Sequence, residues 1–338
     1  MLDDIYPRLL LEIIPQELKR SSLDIQRTIA DHNAGKHTKS VYGQLIKSVY
    51  MTQPESNIGI EFGKFLIPSN LCDFSRILIT AQNLKSAIDV VDQFFFIHGA
   101  SYYPLIHIKR GVASIALTFP YKNNIHECQR RFCSEASFSY LINAIRETST
   151  PNFKPKKVMF DYPEPAYVKD YHPLFGENLL FNQPLNLIEF EEQCIYKTLS
   201  SSNPTLHQMY LNKCLDEMRS IEKQSTFEHK AVSFLMHNHP ESFNSQKLAT
   251  KLNISVRGLQ KKLNKHDSSF SNIANTARRE LAKAYLIQEQ QNIDYTAEQL
   301  GFQTSSGFRR FFKTEFELNP AEYLKNLSRP VEALNLLP

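Results

Sequence analysis

Near its C-terminal end the chain writes one pattern twice. The first copy runs Leu248-Ala249, Leu252-Asn253-Ile254, then Leu259 and Leu263; the second runs Thr296-Ala297, Leu300-Gly301-Phe302, then Phe308 and Phe312. Ala249 and Ala297 are 48 positions apart and Leu259 and Phe308 are 49 apart, so the second copy carries one extra residue in its turn. Both copies read as two short amphipathic helices around a tight turn. Such a pair must bury its stripes against further helices, so this end of the chain is expected to be all-α.

In the first copy Ser245 is a candidate N-cap for a helix over Gln246–Leu252, its hydroxyl accepting an orphan backbone N–H. Leu248, Ala249 and Leu252 form the inner stripe, and Asn253 stands where the turn needs a left-handed residue. Ile254 plugs the core. Ser255 caps Val256–Asn264, whose inner face is Leu259 and Leu263. In the second copy Asn292 caps Ile293–Leu300, Gly301 takes the left-handed position and Phe302 is the plug. A helix over Ser305–Phe316 follows and buries Phe308 and Phe312. Between the copies, residues 270–289 predict one long amphipathic helix, with Ser269 as its cap. About 20 residues span roughly 30 Å, close to the ~34 Å of one B-DNA turn.

The outer faces carry the chemistry. Arg257, Gln260, Lys261 and Asn264 on the first second-helix, and Ser306, Gly307, Arg309, Arg310 and Lys313 on the other, are mostly donor-rich positions suited to base edges and phosphates. Charge agrees in direction. Residues 226–326 hold 14 Lys and Arg against 10 Asp and Glu, while the remainder holds 25 of each, so the net +4 of the chain sits in that last hundred residues.

The 338 residues predict two domains. To about residue 100 the reading is helical, with Val41, Leu45, Ile46 and Val49 on one face, and Leu84, Ala87, Ile88, Val91 and Phe95 on another. Strands follow at Tyr103–Lys109 and Val112–Phe119, joined by a turn at Lys109-Arg110-Gly111. Residues 125–146 read as helix, and short strands are expected at 157–162, 178–181 and 187–190. Elements cluster rather than alternate, so this part is α+β. Ser200 to Pro204 is the linker candidate, leading into a helix over 205–223 with Leu206, Met209, Tyr210, Leu215 and Met218. The expected division is an α+β domain over 1–200, a linker helix over 201–225 and a double helix-turn-helix domain over 226–327.

Several classes are set aside. No apolar run reaches the ~20 residues of a membrane span, so no membrane partner is expected. The N-terminus lacks a basic leader region. Five cysteines (Cys72, Cys128, Cys133, Cys194, Cys214) without a CxxC pair suit buried thiols in a cytoplasm. His126 to Arg130 is one histidine short of HExxH, and His237 and His239 share no helical face. Phe94-Phe95-Phe96 reads as core. There is no GxSxG, Walker A or GxGxxG, so neither catalysis nor a cofactor is expected. In the strand pair, His107, Lys109 and Thr118 alternate with Ile106, Ile108, Leu117 and Phe119; they would line a ligand pocket or face solvent.

Residues 245–324 resemble the double helix-turn-helix domain of AraC/XylS transcription regulators. The resemblance rests on Ser255, Arg257, Leu259-Gln260 and Leu263; Arg278-Arg279-Glu280-Leu281-Ala282 and Leu286; Ala297 and Leu300-Gly301-Phe302; Ser306, Phe308, Arg310 and Phe312; and Pro320 with Glu322-Tyr323. Residues 1–200 resemble the N-terminal sensor domain of one AraC subgroup, through Gly59 to Gly63, Leu84 to Val91, and Val158 to Leu199. The resemblance implies duplex DNA as partner, with Arg257, Gln260 and Lys261, then Ser306, Gly307 and Arg310, at base-reading positions. It also implies activation through RNA polymerase, a small-molecule effector, a homodimer, or some of these together. Asp267 and Glu317 stand where the family usually has glycine, and Glu315 where an aromatic is common. Gly258 lies inside a reading helix at roughly 1 kcal/mol against alanine.

Overall fold

The computed structural model describes residues 2–33, 39–66, 73–94, 102–120, 125–221, 227–237, 240, 243–265, 268–288 and 292–327. Expectations resting on Cys72, Phe95, Phe96, residues 222–226, His239, Asp267 and residue 289 lie outside them, as do the side chains of Val41, Val91, Phe94, Met218 and His237. Helices α1 (Leu2–Ile13), α2 (Gln16–Ser21), α3 (Leu23–Asn33), α4 (Lys39–Thr52), α5 (Ile58–Phe65), α6 (Asp73–Thr80) and α7 (Leu84–Phe94) come first. The hairpin β1 (Tyr103–Lys109) and β2 (Val112–Thr118) precedes the long α8 (Glu127–Thr148). Then come β3 (Lys157–Met159), α9 (His172–Phe175), β4 (Leu179–Leu180), β5 (Asn186–Glu191) and α10 (Gln193–Tyr196). From α11 (Pro204–Ile221) on, the described residues hold helix and turn alone. These helices are α12 (Phe227–His237), α13 (Ser245–Lys251), α14 (Val256–Asn264), α15 (Phe270–Gln288), α16 (Ile293–Gln299), α17 (Ser305–Phe316) and α18 (Pro320–Leu327). An α+β part is therefore followed by an all-α part, as the patterning predicts.

The sheet has the order β1-β2-β5-β3-β4. Its pairs are antiparallel except β3 with β4. Arg110 (φ 51°) and Gly111 (φ 79°) are both left-handed, as a type I′ hairpin turn requires. The expected strands at 157–162 and 178–181 shorten to β3 and β4. Beyond them Asn182 turns left-handed, and its N–H and that of Gln183 close onto Tyr162 O and Phe160 O instead of extending a ladder.

Strand alternation splits the sheet between two cores. Ile115 pairs with Ile188, and both pack with Phe138 and Ile142 of α8. Their neighbours Ala116 and Leu187 point the other way, where they meet Met159, Leu185 and Ala284 of α15. Gln288 Nε2 donates to Ser114 Oγ at 3.1 Å, Arg279 Nη2 donates to Pro120 O at 3.1 Å, and Tyr103 joins the core of the C-terminal helices. Thr118 is consequently neither a pocket residue nor solvent-facing. It is 2% exposed, and its hydroxyl donates to Tyr103 O at 3.0 Å.

Helix α8 also organises the N-terminal helices. His126, dismissed as a metal ligand, is its N-cap, in a capping box with Gln129. Helix α5 crosses α8 closely, and this accounts for the Gly59–Gly63 motif. A Cβ on Gly59 would strike Glu135, and one on Gly63 would strike Ala136 O and Ser139. Glu135 is fully buried. It accepts from Tyr171 (2.5 Å), Tyr167 (2.7 Å), Tyr50 (3.2 Å) and Arg131 Nε (3.2 Å). The Arg131 guanidinium lies over the rings of Tyr50, Tyr162 and Tyr167. Burial raises the Glu135 pKa, and Arg131 and the tyrosine hydroxyls offset this only in part. The Cys133 thiol is pushed up to about 12 by burial, consistent with an inert thiol.

Helix α11 packs on α6 and α7 through Tyr210, Leu211, Cys214 and Leu215, against Ile77 and Val90. Leu206 and Met209, placed with these by spacing, lie instead on the outer side, each 40% exposed.

Two stabilities follow. Glu135→Gln puts an amide donor against donor groups and strips Arg131 of its closest counter-charge, leaving among the described residues Glu55 at 3.9 Å. It should cost roughly 3 kcal/mol in urea unfolding; a loss below about 1 kcal/mol would show the tyrosines suffice for Arg131. Glu317, which closes α17, is left-handed at φ 59°. Glu317→Gly should therefore stabilise the chain by about 1 kcal/mol, and an unchanged melting temperature would contradict this.

Candidate nucleic-acid interface

The two copies are the same hydrogen-bonded object. In the first, Ile254 N–H donates to Ala249 O (3.0 Å) and Asn253 N–H to Thr250 O (3.1 Å). In the second, Phe302 N–H donates to Ala297 O and Gly301 N–H to Glu298 O, both at 2.9 Å. Each is a Schellman closure, with the left-handed residue at Asn253 (φ 53°) or Gly301 (φ 70°) and the apolar plug one position later. The caps are Asn244, Ser255, Asn292 and Thr304. Ser245 is thus corrected: it is the first residue of α13, and the Asn244 side chain accepts from Gln246 and Lys247 N–H. The extra residue of the second copy is Gln303, inserted between plug and cap.

The closures are held by one core. Leu248, Ala249, Leu259 and Leu263 of the first unit pack with Ile273, Ala277 and Leu281 of α15, and with Ala297, Leu300, Phe308 and Phe312 of the second. Burying Leu259 and Leu263 turns the opposite side of α14 outward. Arg257, Gln260, Lys261, Asn264 and Lys265 line one open depression there. Lys265 is absent from the sequence reading, although its spacing of four from Lys261 continues the stripe. Burying Phe308 and Phe312 likewise turns Ser306, Arg309, Arg310 and Lys313 of α17 outward, all exposed at spacings of three and four. Gly307 is half-buried, and its N–H donates to Thr304 Oγ1 at 3.1 Å, so it brings no side chain to that face.

The Arg278-Arg279-Glu280 motif stands apart from both faces. Glu280 is 2% exposed and pairs with Lys283 (2.7 Å) and Arg279 (3.3 Å). Arg278 lies over two rings, its guanidinium carbon 4.6 Å from the centroids of both Phe243 and Phe302, and its Nε donates to Leu300 O at 2.9 Å. Burial lowers its pKa. Among the described residues no group of three His, Cys, Asp or Glu could hold a metal, and no helix is long and apolar enough to cross a membrane.

Comparison with known proteins places the chain in a family. Residues 18–199 match the model of the arabinose-binding N-terminal domain of AraC transcription regulators, and residues 248–326 match a helix-turn-helix domain. The chain is 21% identical over 299 residues to an ornithine utilization regulator of Pseudomonas aeruginosa, covering 88% of this chain and 87% of that one. The crystal structure of the transcriptional regulator CdpR from Pseudomonas aeruginosa aligns with a TM-score of 0.45 at 13% identity, covering 92% of this chain and 99% of that one. The N-terminal model spans more than half of the sequence, and the helix-turn-helix match covers both repeated units. The chain therefore belongs to the AraC family and is a DNA-binding transcription regulator.

Proposed function

We propose that α14 and α17 enter two successive major grooves on one face of a duplex. The observation that carries this is the repetition of one closed turn on a shared core, each copy turning a donor-rich face outward. Helix α15, 19 residues and so about 28 Å long, separates the copies by nearly one turn of B-DNA. In the first unit Arg257, Gln260 and Lys261 read bases, and Asn264 borders them. In the second, Gly307 offers no side chain, so Arg310 carries base contact with Ser306 beside it. Arg309 and Lys313 hold phosphates. Residues 1–200 form the sensor or dimerisation domain, 201–225 the linker helix and 226–327 the DNA-binding domain. The regulator acts as an effector-responsive homodimer that activates transcription with RNA polymerase.

A second reading keeps the DNA function but gives the N-terminal domain only dimerisation or a protein partner. It is favoured by the dense packing around Glu135, where Tyr50, Tyr167, Tyr171 and Arg131 all donate to one carboxylate and Tyr162 meets Tyr171. A thermal-shift screen of metabolites, with arabinose and ornithine included because the family model and the relative name them, separates the two. A ligand of the native state raises the melting temperature; no shift across the pools favours the second reading.

The binding sites are obtained by selecting genomic fragments with the purified full chain. Arg310→Ala should relax base preference at one position by about 1–3 kcal/mol of discrimination. Lys313→Ala should weaken all sites alike and reduce the salt slope by about one. Equal behaviour of the two variants would overturn this division of roles. Sites of a single groove's length would overturn the two-groove footprint.

A further inference from the structure

We propose that Arg278 is a positioning residue that locks the two reading units to one separation, and so sets the spacing between the two half-sites on DNA. The inference rests on the two-groove reading above. Arg278 lies on α15, but what it touches belongs to both units. Phe243 immediately precedes Asn244, the cap of the first unit, and Phe302 is the plug of the second. The guanidinium lies over both of these rings, each centroid 4.6 Å from its carbon. A flat, delocalised cation suits contact with two ring faces at once, and lysine lacks that shape.

Two further contacts tie the same place. Arg278 Nε donates to Leu300 O at 2.9 Å, at the C-terminal, electronegative end of α16. Directly beside it, a Cβ placed on Gly301 would come 2.8 Å from Phe243 Cβ and 3.3 Å from Pro240 O. The turn of the second unit therefore lies against the segment that enters the first. The units thus meet directly, as well as through the length of α15. Arg278 is not among the outward-facing residues of either reading helix, so its part in recognition would be geometric.

A rigid pair of readers behaves differently from a tethered pair. When the first unit is bound, the second meets its half-site at an effective concentration that depends on how well the pair is aligned. One inserted base pair displaces the second half-site by about 3.4 Å and turns it by about 34°, which a rigid pair cannot follow. Loosening the clamp should lower affinity for the correctly spaced site, leave each isolated half-site unaffected and flatten the penalty for wrong spacing.

The test uses the full chain on selected duplexes carrying both half-sites, either half-site alone, or both with one base pair inserted or removed. Wild type should favour the native spacing. Arg278→Met, which keeps bulk but loses charge and donor, should bind the native two-half site roughly tenfold more weakly. It should bind single half-sites like wild type and discriminate little between spacings. Arg278→Lys should fall between. If Arg278→Met does not fold by circular dichroism, Phe243→Leu removes one of the two rings and carries the same expectation. Wild-type spacing discrimination in the folded variant would overturn the proposal, as would equal weakening on single half-sites. Absence of any two-half-site advantage in the wild type would instead mark failure of the two-groove reading itself, and the clamp would fall with it.

Discussion

Helix α15 is buried on more than one side, and the placement of everything around it follows from that. Ile273, Ala274, Ala277 and Leu281 face the core shared by the two repeated units, while Ala284 turns to the sheet of the N-terminal part. Four of its buried positions are alanine. Short side chains let neighbouring elements approach closely at good helix propensity. A chain with leucine at all of them would overfill these contacts, at a cost of about 1–3 kcal/mol each.

The buried polar groups show how such packing is kept specific. Glu280 between Arg279 and Lys283, Glu135 among its tyrosines, and Arg278 against its phenylalanines each place charge where water is scarce. An unpaired charge in these places would be expensive. Glu280 is matched within α15 itself, whereas Glu135 and Arg278 find partners on other elements and so hold only when those elements are in register. Glu135 and Arg278 therefore select one arrangement, whatever their net contribution to stability.

Much of the C-terminal half is legible in the sequence because its determinants are local. Ser255, Asn292, Asn253 and Gly301 act within a few residues of themselves, and the structure puts them where propensity does. The one displaced cap, Ser245 for Asn244, concerns adjacent residues that are both good caps, and spacing alone cannot rank them. Non-local features are hidden. Nothing in the sequence singles out Arg131 and Glu135, four apart on a helix, because Tyr167 and Tyr171 reach them from more than 30 positions away. Thr118 reads as the polar face of a half-solvated strand, because strand alternation carries no sign of a second covering layer. The ring contacts of Arg278 join residues 35 and 24 positions away in opposite directions along the chain, at Phe243 and Phe302. On the candidate interface, by contrast, the outward positions follow from helix periodicity once Leu259, Leu263, Phe308 and Phe312 are placed inside.

The double covering of the sheet has a practical consequence. Ala116, Met159, Leu185 and Leu187 are shielded by α15, which comes after the linker. Cutting the chain there would present this apolar patch to water, beside a β-ladder, as an adhesive face. An isolated N-terminal fragment would be prone to clump during purification. Its ligand affinity and association state would then report on that uncovered surface as much as on the native molecule.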